Sequence, residues 1–358
     1  MDILALTPNI LGVAPGQRSS VELWARVLEP HDIRLHFSPF ETQALRDVLA
    51  RPGRSISKST EMLRAYYNRV LSLKEIEKYD AVLVYREAAL VGPAMLERLV
   101  ARKGMPLIYQ LDDPLHVPYR SPINGYFSYL KFFGKVKTIC RLSTTVIVNS
   151  TPIEAFARQY NRNVWKIPSV VDTDSYQYVP HDTNKKKTCV GWSGSNSTTV
   201  NLEVVSPVLR ELSSRDDCSL HFIGPSAVDL PGVDFSVQPW SAETEVDDLR
   251  QLDVGLVPLA DIRWNHWKFF YKVVQYMALG IPPVCTPIGS NVEVIEHGVT
   301  GYLADSPAEW LEALERLVTD SVLRSEMSER VAEVARERFS LASNAERIIE
   351  AFRSTTAR

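Results

Sequence analysis

The chain has 358 residues, 45% of them hydrophobic and 23% charged, with a formal net charge of −3. This composition excludes a disordered or fibrous protein, and the length suits two domains that each bury a core. No overall basic field would draw in nucleic acid, so none is expected as a partner. Cys140, Cys189, Cys218 and Cys285 are widely spaced with no Cys-x-x-Cys pair, which argues against a zinc site or a disulfide framework and for a cytoplasmic setting. No apolar run approaches the roughly 20 residues of a spanning helix, so any membrane contact is expected to be peripheral, at the inner face.

Met1 leads straight into Asp2-Ile-Leu-Ala-Leu, which reads as a first strand rather than as an export signal. Ile33-Arg-Leu-His-Phe, Ala81-Val-Leu-Val-Tyr, Pro106-Leu-Ile-Tyr and Thr145-Val-Ile-Val follow as further short apolar runs of the kind that buried parallel strands show. Helix candidates at 57–78 and 91–102 supply the crossovers that parallel strands need. The first 170 residues therefore read as a doubly wound α/β domain. Residues 171–187, which include the polar His181-Asp-Thr-Asn-Lys-Lys-Lys, read as a linker. The alternation restarts with Thr188-Cys-Val-Gly-Trp, Leu220-His-Phe-Ile, Phe235-Ser-Val and Val254-Gly-Leu-Val, giving a second α/β domain over 188–340. Ser306-Pro-Ala-Glu309 combines an N-cap serine, a first-turn proline and a capping-box glutamate, and so opens a helix. Helices at 322–339 and 342–352 close the chain, the segment 341–358 being set apart from the second domain.

In parallel sheets the ligand site lies beyond the carboxyl ends of the strands. There, the loop Asn9 to Arg18 offers Gly12 and Gly16, either as a flexible turn or as a cradle whose amides approach a phosphate, and Arg18 adds a fixed cationic fork. Gly16, Arg18 and Arg86 are the candidate acceptor contacts. Tyr85-Arg86-Glu87 reads equally well as a local ion pair or as part of a site. Asp112 and Asp113 leave the fourth strand at the same edge, where one of them is a candidate catalytic group and the other reading is a helix-capping turn. In the second domain Ser193, Gly194 and Ser195 stand between a strand and a helix, with small residues, hydroxyls and a helix N-terminus together. No metal site is expected.

Lys268-Phe-Phe-Tyr-Lys272-Val-Val-Gln275-Tyr-Met-Ala-Leu-Gly280-Ile-Pro-Pro, then Gly289-Ser-Asn-Val-Glu293-Val-Ile and Gly298-Val-Thr-Gly301-Tyr-Leu, resembles the signature of the family 4 retaining glycosyltransferases of bacterial polysaccharide biosynthesis. The resemblance implies the GT-B architecture: two Rossmann-like, doubly wound domains facing a cleft, the first binding the acceptor, the second the nucleotide sugar, with a last helix able to cross back to the first. It implies a hexosyltransferase moving a sugar from a UDP- or GDP-linked donor to a hydroxyl of a glycan or lipid-linked glycan, with retention, without a metal and with no other cofactor. Lys268, Lys272 and the amides of Phe269, Phe270 and Tyr271 would hold the diphosphate, and Gln275 and Glu293 would complete the donor site. Where the family often has two glutamates eight positions apart, this chain has Trp267 and Gln275. Asp261, His266 and Lys268 are candidates for the missing sugar contact, and an inactive homologue serving as a sugar- or nucleotide-binding partner subunit is the alternative. Tyr126 to Lys137 mixes aromatic and basic residues, as does a helix touching a membrane surface or lipid-linked acceptor, or else a core helix whose lysines reach solvent.

Overall fold

The computed structural model describes residues 1–49, 51, 53–120, 125–180 and 185–356. The chain forms two compact units, one of Met1–Ser169 with Asn344–Arg358, the other Val170–Ser343. Each is built on a six-stranded sheet in which every pairing is parallel.

The first sheet takes β1 (Asp2–Thr7), β2 (Arg34–Pro39), β3 (Ala81–Tyr85), β4 (Leu107–Leu111), β5 (Thr145–Val148) and β6 (Val164–Lys166) in the spatial order β2-β1-β3-β4-β5-β6. β3, β4 and β5 are buried along their whole length, which is why their sequences run apolar without alternation. Around them lie α1 (Pro15–Gln17), α2 (Leu23–Leu28), α3 (Gln43–Leu49), α4 (Ser55–Ser72), α5 (Met95–Arg102), α6 (Lys135–Leu142) and α7 (Thr151–Arg158). The helix expected over 57–78 stops at Ser72, and Ile76–Lys78 form a separate 3₁₀ turn. The one expected from residue 91 begins only at Met95.

The second sheet takes β7 (Thr188–Ser193), β8 (Cys218–Ile223), β9 (Ser236–Gln238), β10 (Val254–Val257), β11 (Pro283–Cys285) and β12 (Tyr302–Leu303) in the order β12-β11-β10-β7-β8-β9. Its helices are α8 (Ser206–Ser213), α9 (Glu245–Leu249), α10 (Tyr271–Ala278), α11 (Asn291–Val294), α12 (Pro307–Thr319) and α13 (Ser321–Val334). Ser306 caps α12 as its sequence demands: Glu309 N–H donates to Ser306 Oγ, and the Glu309 carboxylate accepts the Ser306 N–H at 3.1 Å. Trp310, Leu314 and Leu317 face the core, where Trp192, Phe222 and Tyr276 are also buried.

The segment read as a linker is divided. Val171 pairs with Ser340, its N–H donating to Phe339 O at 2.8 Å, and Tyr176 is buried in the second unit's core. Residues 181–184 of that segment lie outside the described residues. α14 (Leu341–Arg353) ends the chain. Its Phe352 meets Trp24 edge-on at 6.3 Å between centroids, and Thr355 Oγ1 lies 2.8 Å from Thr145 Oγ1.

In each sheet the chain reverses its direction of progress once, between β1 and β3 in the first and between β7 and β10 in the second. Loops diverge at such a point and leave a crevice at the carboxyl edge, where α/β sheets bind ligands. Buried Arg69 fixes this edge in the first unit. Its guanidinium donates to the carbonyls of Thr7, Ser38 and Ala88 at 2.7–2.9 Å, pinning the ends of β1 and β2 and the loop after β3. Burial pulls its pKa down to about 10, opposed by the charge of Glu97.

Candidate functional site

At the switch point of the first sheet stand Gly16, Arg86, Asp112 and Asp113. Arg86 lies at the end of β3 with a positive φ of 61°, an αL conformation that non-glycine residues rarely adopt and that marks a constrained site. Its Nε and Nη2 donate to the two oxygens of Asp112 at 2.6 and 2.9 Å, and Nη2 lies 2.8 Å from Asp113. Tyr85 Oη donates to Asp112 at 2.7 Å. Burial penalises the Arg86 charge, but the two carboxylates more than offset it and hold its pKa above the ordinary guanidinium value. The Tyr85 phenol is pushed well up, chiefly by burial. Gly16 closes over this cluster: a Cβ there would sit 2.6 Å from Arg86 Nη2 and 3.1 Å from Tyr85 Oη. The following loop is held by the Glu87–Lys135 ion pair at 2.8 Å, by Lys135 donating to Ala89 O, and by Ala88 N–H donating to Glu97.

Four of the five residues expected for catalysis and acceptor binding thus form one cluster, with both oxygens of Asp112 bonded inside it. Arg18 opens the π-helical turn Arg18–Glu22. In the loop before it, three of the amides that one reading of Gly12 and Gly16 would turn to a phosphate are already bonded within the protein. Asn9 N–H donates to Gln17, Ile10 N–H to Glu41 and Gly12 N–H to Glu22, so an anion there would face carboxylates.

At the switch point of the second sheet, β7 ends in Ser193, Gly194 and Ser195. Gly255 in β10 gives room for the Tyr276 ring, which a Cβ there would overlap. Tyr276 therefore crosses the sheet end and accepts the Ser193 N–H at 2.8 Å. Burial pushes its phenol up to about 12, with the Ser193 hydrogen bonds opposing. Gly194 N–H donates to Ile223 O at 2.9 Å, and Gly194 O packs where only Gly224, at φ +110°, leaves space. Ser195 and Thr198 form a reciprocal capping box, but the helix it opens, Asn196–Val205, is 3₁₀ rather than α.

Lys272, on the first turn of α10, points back to this strand end. Its Nζ donates to Ser193 O at 2.5 Å and sits 4.5 Å from the centroid of the Trp192 ring. Burial, helped by the neighbouring charge of Lys268, lowers its pKa to about 7. A cation held by one carbonyl and an aromatic face, with no carboxylate among these contacts, is suited to an anion.

The turn before α10 is fixed from the opposite side. Ser290 Oγ accepts the Phe270 N–H at 3.0 Å, and Ser290 N–H donates to Lys268 O at 3.2 Å. The Phe270 amide, expected at a diphosphate, is thus spent in holding the turn, and the Phe269 and Phe270 side chains are buried in the core. Tyr271 begins α10, and Lys268, half-buried, ends the loop before it. Gly289, at φ +62°, fits beneath: a Cβ would overlap Asn265 O and meet Lys268 O at 2.8 Å. Gly289→Ala is expected to cost about 1–3 kcal/mol through strain and displaced backbone and to loosen the Lys268–Lys272 turn. Thermal denaturation and nucleotide titration of the variant would check both effects.

Gln275 is buried with its amide turned inward, donating to Tyr176 Oη at 2.8 Å and, more weakly, to Glu245 at 3.4 Å. Tyr176 Oη donates to the same glutamate at 3.0 Å, and Trp240 Nε1 also donates to it at 3.0 Å. Glu245, half-exposed at the start of α9, thus brings a carboxylate beside the position where the family pattern has one. Sequence reasoning missed it, since nothing local links residue 245 to residue 275. Glu293 is exposed on α11, its carbonyl accepting from Arg338. Asp261 and His266, two candidates for the sugar contact, pair with each other at 2.5 Å. Among the described residues no group of three or more His, Cys, Asp or Glu side chains is placed to hold a metal ion.

Residues 189–320 match the family model described as glycosyl transferases group 1. Solved structures share the architecture over nearly the whole chain. Sucrose-phosphate synthase from Thermosynechococcus elongatus superposes with a TM-score of 0.75 at 13% identity, covering 100% of this chain and 99% of its own. Anabaena HepE in complex with UDP-glucose gives 0.69 at 16% identity, covering 99% and 100%. An α-glucosyltransferase in complex with UDP-glucose and DNA containing an abasic site gives 0.64 at 10% identity, covering 99% of each chain. Curated protein sequences yield no match.

Proposed function

We propose that this chain, a glycosyltransferase of the two-domain GT-B fold with a group 1 domain over residues 189–320, takes its sugar from a UDP-linked donor bound in the second unit. The reading rests on Lys272, a half-buried cation aimed at the Ser193 strand end with its pKa near 7. UDP is favoured over GDP because HepE and the α-glucosyltransferase were each solved with UDP-glucose. The diphosphate would lie between the Ser193–Gly194–Ser195 turn and the start of α10, replacing Ser193 O as the partner of Lys272, with Lys268 adding charge.

Departure of UDP leaves negative charge on the β-phosphate, and donors already in place stabilise that charge more in the transition state than in the bound substrate. Lys272, Lys268 and the N-terminus of α10 fill that role, so the proposed reaction runs without a metal. Retention would follow from attack by the acceptor hydroxyl on the face that UDP leaves, its proton passing to the departing phosphate. The acceptor, a glycan or lipid-linked glycan hydroxyl, is assigned to the first unit at the Gly16, Arg18 and Arg86 edge. There Asp112 and Asp113 hold Arg86 in place rather than acting as a free base.

Thermal-shift titration with UDP, GDP, ADP, TDP and CMP tests the donor. Saturation at 100 times Kd stabilises by about 2.7 kcal/mol, so UDP is expected to raise the melting temperature well above the others. A shift with GDP alone would move the assignment to that base, and no shift with any of them would remove the donor site. Incubation with a panel of UDP-sugars, with the anomer of the product read by NMR, tests retention.

A further inference from the structure

We propose that the first unit docks on an anionic lipid surface through the face formed by residues 119–120 and 125–137. Residues 114–153 contain no Asp or Glu in forty consecutive positions. The chain's 43 acidic residues would place about five in such a span. The same stretch carries Arg120, Lys131, Lys137 and Arg141, all exposed. A locally cationic face on a chain of net charge −3 is the complement of a negatively charged partner.

Its apolar side chains are exposed as well. Tyr126 is 74% exposed, Phe127 66%, and Tyr129, Leu130 and Phe132 about half. In this 3₁₀ segment, Gly125–Lys131, only Ser128 is buried, so the aromatics are turned to solvent rather than into the core, against the reading of a core helix. The guanidinium of Arg120 lies 4.1 Å from the Tyr126 ring centroid, Tyr126 stacks on Tyr129 at 6.4 Å, and Tyr129 meets Phe133 edge-on at 6.0 Å. Gly92 N–H donates to Leu130 O at 2.7 Å. That bond ties the segment to the loop entering α5, where Met95 is itself 61% exposed.

Tyrosine and phenylalanine flanked by Lys and Arg match the headgroup–acyl boundary, where the ring enters the apolar layer and the cation meets phosphate. With no helix among the described residues long and apolar enough to cross a bilayer, the contact is peripheral.

Co-sedimentation of the full chain with phosphatidylcholine vesicles, alone or with one quarter phosphatidylglycerol, tests the proposal. Binding is expected only to the anionic vesicles and should weaken in high salt. Lys131→Glu with Lys137→Glu should reduce it at least about fivefold, given the gain expected per basic residue near such a surface. Tyr126→Ser with Phe127→Ser should reduce it at least about tenfold. Both variants should keep the parent melting temperature and its UDP-induced shift, since the residues are exposed and lie in the unit that does not hold the donor. Absence of binding to anionic vesicles, or equal binding by parent and both variants, overturns the proposal. A dimer in solution that Phe127→Ser disperses would also overturn it, assigning the face to a second copy. Loss of the UDP shift with lipid binding intact would count against the donor reading alone.

Discussion

Replacing Lys272 with methionine is expected to weaken UDP binding by roughly tenfold to a hundredfold while leaving the protein as stable as before or more so. A charge-assisted hydrogen bond contributes about 1.5–3 kcal/mol, and Lys272 is the cation best placed to make one to the diphosphate. Methionine keeps an unbranched apolar stem over the Trp192 ring and removes a charge that burial already disfavours. A purely structural lysine would show the opposite pattern, with stability lost and nucleotide affinity kept. Isothermal titration with UDP beside thermal denaturation separates the two.

The lowered pKa adds a pH signature. With its pKa near 7 in the free protein, Lys272 is half deprotonated there, and UDP must recharge it on binding. Affinity should therefore fall above neutrality, by about fivefold between pH 7 and 8 if the bound lysine stays charged. Stability moves the other way. The unfolded chain keeps the proton up to the ordinary lysine value of 10.5, so between about pH 7 and 10.5 it binds more protons than the folded one, and this residue's contribution favours folding more as pH rises. In the methionine variant both dependences should flatten. A UDP affinity in the parent that does not change from pH 6 to 9 would remove Lys272 from the phosphate contact.

Arg86→Met is expected to cost the first unit about 3–5 kcal/mol, the usual penalty for leaving a buried charge without its partner. Asp112 is 7% exposed, and Asp113 beside it 14%, so neither carboxylate can turn freely to water. Adding Asp112→Asn should recover part of the loss, because the amide removes the stranded charge while still accepting from Tyr85. Denaturant titrations of the parent, both single variants and the double variant give the coupling directly. A cost near zero for Arg86→Met would mean that the cluster is hydrated and weak, and would free Asp112 for the catalytic role that its position in the sequence suggests. Transfer to acceptor should fall in Arg86→Met even below its melting temperature if this edge binds the acceptor, whereas UDP affinity should hold.

The alternation of apolar runs with helical stretches was enough to read two doubly wound α/β domains, because a strand buried on both faces must be apolar throughout and parallel strands must be joined by crossovers. The capping box at Ser306 and the pattern of residue types from Lys268 to Gly280 were equally legible, since each can be read from a short continuous stretch. Strand order was not. The switch points between β1 and β3 and between β7 and β10 decide which loops meet, and order follows from packing across the whole sheet rather than from any run along it.

The same limit explains the site residues. Lys272 and Gln275 were visible as residue types on one helix, but whether each would face a ligand or the protein depended on distant partners. Lys272 found Ser193, 79 positions away, and kept a cationic head at the strand end. Gln275 found Tyr176, 99 positions away, and turned inward, with Glu245 drawn beside it. Asp112 reads in the sequence as a candidate catalytic carboxylate, and only the fold shows that Arg86, 26 positions earlier, donates to both its oxygens. Sequence determined the elements and the chemical groups they carry, because backbone periodicity and capping are settled within a few turns. Tertiary structure alone decided which groups are spent on one another and which remain for a substrate, because a side chain's partner is fixed by where the sheet brings remote strand ends together.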